Sequence, residues 1–500
     1  MLKYTDSQDS RERLASLLLP AAAVAAAVLV GCITALAGAA VGTRAIYLLA
    51  VPGALLIGAA IVLTRAEPLR FAFLGMLALL TFVHIVVPPG RLDLTVFDIG
   101  SLVIACGLLL RKAFSRDPEA PLFPSRALAF IWLLLIPCAV LARHPAPAAL
   151  QLALIFAAYV FFWFVLQELR RPAGLERVVG LLALTGIIVA AGLFLDHYLH
   201  INLSLLGTNF NQFTQADNGR FIWRAGGFFQ DGQKAGDFLA ALLTFLLVLL
   251  VRGRCRAGWL RLLVWGALLL GVPALFLTVS RAALFSFLPV CAIALLAVNR
   301  WPLAVKLFAF TVMAVLAATI LIAPGFWIGL MPGALAARAV QSNSEFATRV
   351  DVWLDTWEMF ARHPLTGVGF HGFQQYLLDT RPLVFNYYGI GQDTGVNYVP
   401  DQPESGYFKV LYEAGILGTL ALVIVVVETL RRAIKGLVSK ATSADMRSEL
   451  MAGLAGLAVF GATFATLFSV ADPRVLVLFL VLLAITWRPS VAPSNPPARP

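Results

Sequence analysis

The sequence predicts an all-α, polytopic integral membrane protein with about 12–14 transmembrane helices. Three observations carry this. Of 500 residues, 60% are hydrophobic and only 13% charged, against about 25% charged in a soluble domain. The mean hydropathy is +0.86. The apolar residues are gathered into runs close to the length that crosses a bilayer as a helix, about 20 residues. So apolar a chain lacks the polar surface to cover a soluble core. A cytoplasmic enzyme, a disulfide-stapled secreted domain and a disordered chain are thereby excluded.

In order, the runs fall at 17–38, 45–63, 71–88, 94–110, 127–142, 148–166, 178–196, 236–251, 260–278, 282–298, 303–323, 405–430, 449–469 and 474–487. The first follows Arg11 and Arg13 and contains Ala35-Leu36-Ala37, as a cleaved signal peptide would; a retained signal-anchor is the favoured reading. The chain then divides into N-terminal helices (1–196), a loop (197–235), a second helical group (236–323), a long cap loop (324–404), C-terminal helices (405–487) and a proline-rich disordered tail (488–500). No convincing internal repeat is found.

The net charge of +11 would raise the question of nucleic acid in a soluble protein. Here the basic residues form short clusters between apolar runs, such as Arg252, Arg254 and Arg256, or Arg431, Arg432 and Lys435. That is how a membrane protein fixes its orientation. With both termini cytoplasmic, every cytoplasmic loop is basic and both long loops face outward, in a bacterial inner membrane the periplasm. Nucleic acid is not a predicted partner; the bilayer is. No CxxC occurs, so neither a disulfide framework nor a thiolate metal site is supported.

The loop 324–404 is too long for a plain connection and is not of low complexity. Over 349–361 it reads as an amphipathic helix, with Val350, Trp353, Leu354 and Trp357 at helical spacing. His363-Pro364 ends it, and Gly367, Gly369 and Gly372 mark a tight turn. A folded periplasmic cap is expected.

The residues that could carry chemistry sit at the outer rim. Arg281 lies in the polar interruption Thr278-Val279-Ser280-Arg281 between two apolar runs, where a charge is costly and is usually paired or functional; the competing reading is a snorkelling anchor. Arg224 lies just before a span, beside Gly226 and Gly227, where backbone can approach a ligand closely; its competing reading is an interface belt. Arg349 opens the cap helix, where it could equally pair Asp351 or Glu345. His363 and His371 flank Gly-Val-Gly and lack the helical spacing of a metal pair, so no metal is expected. Glu404 lies where the cap loop re-enters the membrane. With Pro403 at the first helical position, it could simply favour the helix dipole; it could also serve as a general base. Arginine forks clamp phosphates. No GxxxxGK[ST] and no GxSxG occur.

These segments resemble a known family. Val279-Ser280-Arg281-Ala282-Ala283-Leu284 is similar to the Ser-Arg-Gly/Ala motif of the bacterial O-antigen ligase and polymerase superfamily. Residues 348–373 resemble its R-x-x-x-W helix followed by P-x-x-G-x-G-x-x-x-F. Residues 404–418 resemble its H-N-x-x-L-x-x-x-x-E-x-G-x-x-G segment, and 224–229 its R-x-x-G-x-F element. The resemblance covers about 224–420, in order and on one face.

Members transfer a glycan from an undecaprenyl diphosphate carrier to an acceptor hydroxyl at the periplasmic face. The resemblance implies that Arg281, Arg224 and Arg349 bind the diphosphate, that Glu404 is the base, and that no cofactor or metal takes part. Ligases of the family carry His where this chain has Glu404 and Asn where it has Ser405. This departure favours a polymerase of exopolysaccharide or O-antigen repeat units over a ligase to lipid A–core or protein. A transporter or flippase is the alternative of another class; it would favour repeated halves and helices broken at midplane.

Overall fold

The structure, a computed structural model, describes residues 96–114, 121–171, 173–199, 213–215, 221–229, 231–298, 302, 311, 342–370, 372–373, 376, 405–467, 470 and 472–488. The first three expected spans, the span 303–323 and most of the cap loop lie outside these residues. Eleven helices are described: α1 (Val96–Phe114), α2 (Arg126–Val140), α3 (Pro145–Glu168), α4 (Gly174–Leu199), α5 (Gly232–Val251), α6 (Gly258–Leu277), α7 (Arg281–Val298), α8 (Ser342–Arg362), α9 (Gly406–Val438), α10 (Ala444–Thr463) and α11 (Pro473–Trp487). Between α4 and α5, β1 (Phe213–Gln215) and β2 (Phe221–Trp223) pair antiparallel, with Thr214 opposite Ile222. Among the described residues the structure is otherwise all-α. The helices α3, α4, α5, α6 and α9 are long and apolar enough to cross a membrane, and the protein is a multi-pass membrane protein.

Helix starts follow ordinary capping chemistry. Asp231 accepts from the Gln233 amide (2.8 Å) to open α5. Ser125 does the same for α2 through Leu128, and proline stands at the start of α3 and α11. Asp231 and Ser125 satisfy amides that a helix start leaves unpaired, and proline, which has no N–H, removes one.

The bundle is built around α5. Residues 235–246 of that helix are buried without interruption. Against it pack α10, α7 and α6; α4 packs on α6, α3 on α11 and α1, and α2 on α9. Small residues permit the close approaches. A Cβ on Gly236 would stand 2.7 Å from the Cβ of Ser280, and one on Gly456 2.7 Å from Leu482. In lipid, where water supplies no drive between helices, such small-residue contacts do much of the packing.

One end of the bundle is tied by ion pairs. Arg254 meets Asp445 at 2.6 Å and also Glu449, which is joined by Arg488; Arg177 meets the buried Glu168 at 2.9 Å. Glu428 holds Arg431 and Arg432 one turn on. These pairs carry α9 past its apolar run, which is why the helix reaches Val438 although the hydropathy ends near 430. Helix α10 stops earlier than its hydropathy, at Thr463, because the Phe464 carbonyl turns to accept the Gly406 amide at 2.7 Å. Cys255 is buried in the turn between α5 and α6. Burial pushes its thiol up against the opposing pull of Arg261 and Arg254, so it stays a protonated packing group.

The cap helix α8 is where the sequence places it, but its buried face is rotated. Val352, Thr356 and Met359 are buried, whereas Leu354 and Trp357 are 63% and 56% exposed. Of the expected apolar stripe, Trp353 stacks on Phe408 of α9 at 5.4 Å, while Trp357 meets only Phe360 of its own helix, also at 5.4 Å, among the described ring contacts. The reason is the partner: Val352 and Met359 share a cluster with Val368, Phe373, Tyr376 and Tyr412. The partner's position, not the most hydrophobic stripe, decides which face is covered.

Candidate functional site

The glycine turn after α8 seats the cap on a break in α9. Gly415 has φ 60 and ψ −155, which interrupts the helix. The freed backbone groups are taken by the turn. The Val368 amide donates to the Tyr412 carbonyl (2.8 Å) and the Gly369 amide to that of Glu413 (2.9 Å); the Ile416 amide donates to the Pro364 carbonyl (2.9 Å). The Arg143 amide donates to the Val368 carbonyl (3.2 Å), which ties in the turn between α2 and α3. A break in a membrane helix survives where neighbours re-satisfy its backbone. Gly367 has φ +67, and a Cβ there would stand 2.3 Å from the Tyr412 carbonyl oxygen. Gly367→Ala therefore meets both the left-handed penalty, roughly 1–2 kcal/mol, and a backbone clash. We expect a lowered melting temperature in detergent and reduced accumulation in membranes; wild-type melting would contradict this account of the turn.

Arg224 lies on a second backbone element. The Ala225 amide donates to the Leu277 carbonyl at the end of α6 (3.1 Å). The next two amides, Gly226 and Gly227, both donate to one carboxylate oxygen of Asp196, at 2.9 and 2.7 Å. Asp196 is buried at the end of α4 and Gly227 has φ +52. Behind them, Arg474 donates to the Phe228 carbonyl and lies over the Phe229 ring at 4.6 Å, while its Nε donates to Asp472 at 2.7 Å. The loop is thus held from both sides. Arg224 is only 8% exposed, and its buried Nε has no hydrogen-bond partner among the described residues. A buried guanidinium donor without an acceptor is costly; an anion would satisfy it.

Arg281 lies on a third element. Between α6 and α7, Val279 has φ +50, a genuine outlier for a β-branched residue. Strained backbone of this kind persists only where its surroundings over-determine it. Thr278 supplies that: its hydroxyl donates to the Leu275 carbonyl (2.7 Å) and accepts from the Ser280 amide (3.3 Å). The elbow makes Arg281 the first residue of α7, at the positive end of that helix, where anions are favoured. A Cβ on Gly232 would stand 2.7 Å from the Thr278 carbonyl oxygen and 3.1 Å from that of Ala225. The Arg224 strand and the Arg281 elbow therefore meet on one flank of α5.

The other expected site residues fall as follows. Arg349 is on α8, with its side chain outside the described residues. His363 is exposed at the end of α8, its ring edge-on to Tyr376 at 6.0 Å. His371 and Glu404 lie outside the described residues. The helix after Glu404 starts at Gly406 with Ser405 as its N-cap, not at Pro403. Among the described residues no group of His, Cys, Asp and Glu could hold a metal.

Two charges were given no role from the sequence, although Glu413 stands at the E of the 404–418 segment. Lys409 and Glu413 form a buried pair one turn apart on α9, at 3.4 Å, and the Tyr412 hydroxyl donates to Glu413 at 3.2 Å. Both charges interrupt an apolar run, and that signal was readable. They line a groove of about 790 Å³ between α2, α3, α9, α10 and α11. Lys234, Gln151 and Asp472 share its polar end, and its walls are otherwise almost wholly apolar.

Residues 266–423 match the family model described as O-antigen ligase. They run from the middle of α6 to the middle of α9 and include Arg281, the cap and the broken helix. No curated protein matches the chain.

Proposed function

From a chain that carries a domain of the O-antigen ligase family, we propose a membrane glycosyltransferase that polymerises undecaprenyl diphosphate-linked repeat units at the periplasmic face. The observation that carries this is the convergence of Arg224, buried with an unsatisfied donor, and the strained Arg281 elbow on one flank of α5. Two guanidinium groups carried on adjoining backbone elements match a diphosphate in charge, and each offers the planar fork of donors that suits phosphate oxygens. As the acceptor hydroxyl oxygen bonds to the anomeric carbon, the bond from that carbon to the phosphate oxygen breaks. The lipid diphosphate leaves with the electron pair, and the arginines stabilise the charge it gains. Arg349 adds to this clamp, and Glu404 takes the hydroxyl proton.

Ligation to lipid A–core or protein is the second reading, favoured by the description of the matching family. Glu404, in the place where the ligases carry His, favours polymerisation. The two readings separate in cells lacking the protein. Loss of a polymerase leaves single repeat units on the final acceptor; loss of a ligase leaves finished polymer on the lipid carrier.

The orientation is part of the proposal. The end tied by Arg254, Arg431 and Arg488 is cytoplasmic by the positive-inside rule, so the cap, the arginines and Glu404 face the periplasm. Reporter fusions at Gly333 and Gly395 are expected to be active only as periplasmic reporters. A cytoplasmic signal at either site would turn the arginine clamp away from its substrate.

A further inference from the structure

The groove lined by Lys409 and Glu413 is not part of the arginine site. Gly232 and Gly236 face the strand and elbow that carry Arg224 and Arg281. Lys234 lies midway between them on α5, about 200° round the helix at 3.6 residues per turn, and lines the groove instead. The two sites thus flank opposite faces of one buried helix.

Three features describe what the groove fits. The first is its length. Its lining follows α9 from Lys409 past the break at Gly415 to Leu430; the unbroken part from 416 to 430 alone gives about 21 Å at 1.5 Å per residue, most of the hydrocarbon thickness of a bilayer. The second is its polarity. Lys234, Lys409, Glu413, Gln151 and Asp472 gather at the cap end, and the remainder is walled by residues such as Ala421, Leu422, Val425, Leu457 and Ala458. The third is charge. Lys409 is matched by Glu413 and Asp472 by Arg474. Lys234 is half-buried and has no ion pair among the described residues. Among the described residues one cation is therefore left over at the mouth of the apolar groove, which is complementary to a single hydrocarbon chain with an anionic phosphate head.

We propose that this groove holds the hydrocarbon chain of the acceptor lipid, a polyprenyl phosphate-type carrier whose phosphate rests on Lys234, while the donor diphosphate lies across α5 on Arg224 and Arg281. The assignment rests on the transferase reading. It gives that reaction two separate lipid sites, one on each side of the helix that carries both.

The test uses the full-length protein in nanodiscs. A polyprenyl phosphate bearing a diazirine on its chain is expected to label α2, α9 and α10, and Ala458→Trp, which fills the groove from an exposed position, is expected to abolish that labelling. Kinetics then use an acceptor repeat unit with methylene in place of the anomeric oxygen, so that it cannot donate. Ala458→Trp and Lys234→Gln should each raise its half-saturating concentration about tenfold, with that of the donor unchanged. Lys234→Arg should restore it, and an acceptor on a two-isoprene chain should be indifferent to Ala458→Trp. Labelling elsewhere, or a shift in the donor instead of the acceptor, overturns the proposal. Melting curves identify a variant that fails to fold, in which case Lys234→Gln and its rescue by arginine decide. Photolabelling needs no turnover. Groove labelling without glycan transfer would therefore sink the transferase reading and with it the acceptor role, leaving only a lipid groove; transfer without groove labelling would sink this proposal and leave the transferase reading standing.

Discussion

Replacing Arg281 by lysine is expected to abolish glycan transfer while the protein accumulates in membranes and melts as the wild type does. Lysine preserves the charge but loses the planar fork of donors that can hold two phosphate oxygens at once. If charge alone mattered, Arg281→Lys would stay active. If the fork matters, the loss should match that of removing a preorganised donor from a developing anion, about 10²–10³ in rate. The fold gives reason to expect the fork to matter. Val279 is held at φ +50 in front of Arg281, and the buried hydroxyl of Thr278 pins the turn. A snorkelling anchor needs no such placement. Polymer yield from membranes supplied with lipid-linked repeat units reads the outcome; wild-type yield from Arg281→Ala would reduce the residue to an anchor.

Glu404→Gln is expected to lower the rate by roughly 10²–10⁴, the contribution of a positioned base, with unchanged stability. Glutamine keeps the size and much of the hydrogen bonding but cannot accept a proton. The competing role was electrostatic support of a helix start, worth about 0.3–1 kcal/mol. Loss of that role would cost stability and leave the rate near normal. Glu404→Asp should retain a little activity, since the carboxylate survives in a displaced position. Glu404→His is the sharper variant, because histidine is the stronger base at neutral pH and should recover part of what glutamine loses. Full activity in Glu404→Gln would move the base role to His363, His371 or Asp401.

Much of this architecture could be read from hydropathy. The run 148–166 became Pro145–Glu168, and 260–278 became Gly258–Leu277, because in a bilayer length and polarity leave few other solutions. Arg281 was singled out as a charge in a polar interruption between apolar runs, and Arg224 by its glycines just before a span; the roles of both remain part of the proposal. Other features depend on partners that a linear reading does not supply. The exposed Trp357 and the buried Thr356 reverse what amphipathicity predicts for the cap helix, since Tyr412 and Val368 decide which face is covered. Gly415 reads as one more small residue in an apolar run, and only the turn at Gly367 and Gly369 makes it a break. Asp196 looked like the end of a span, and its role needs the Gly226 and Gly227 amides that come thirty residues later. Lys409 and Glu413 are different: two charges one turn apart within an apolar run are by themselves the mark of a polar site in a membrane helix.

The protein is proposed to move a glycan between lipid carriers, not lipids across a membrane. Purified full-length protein in sealed vesicles, given radiolabelled undecaprenyl diphosphate-linked repeat units on its cap side, tests this most directly. The expected result is glycans of increasing length on the lipid, with one free undecaprenyl diphosphate released for every bond formed and none from Arg281→Lys. Repeat units that cross the bilayer unchanged in length, with no diphosphate released, would contradict it.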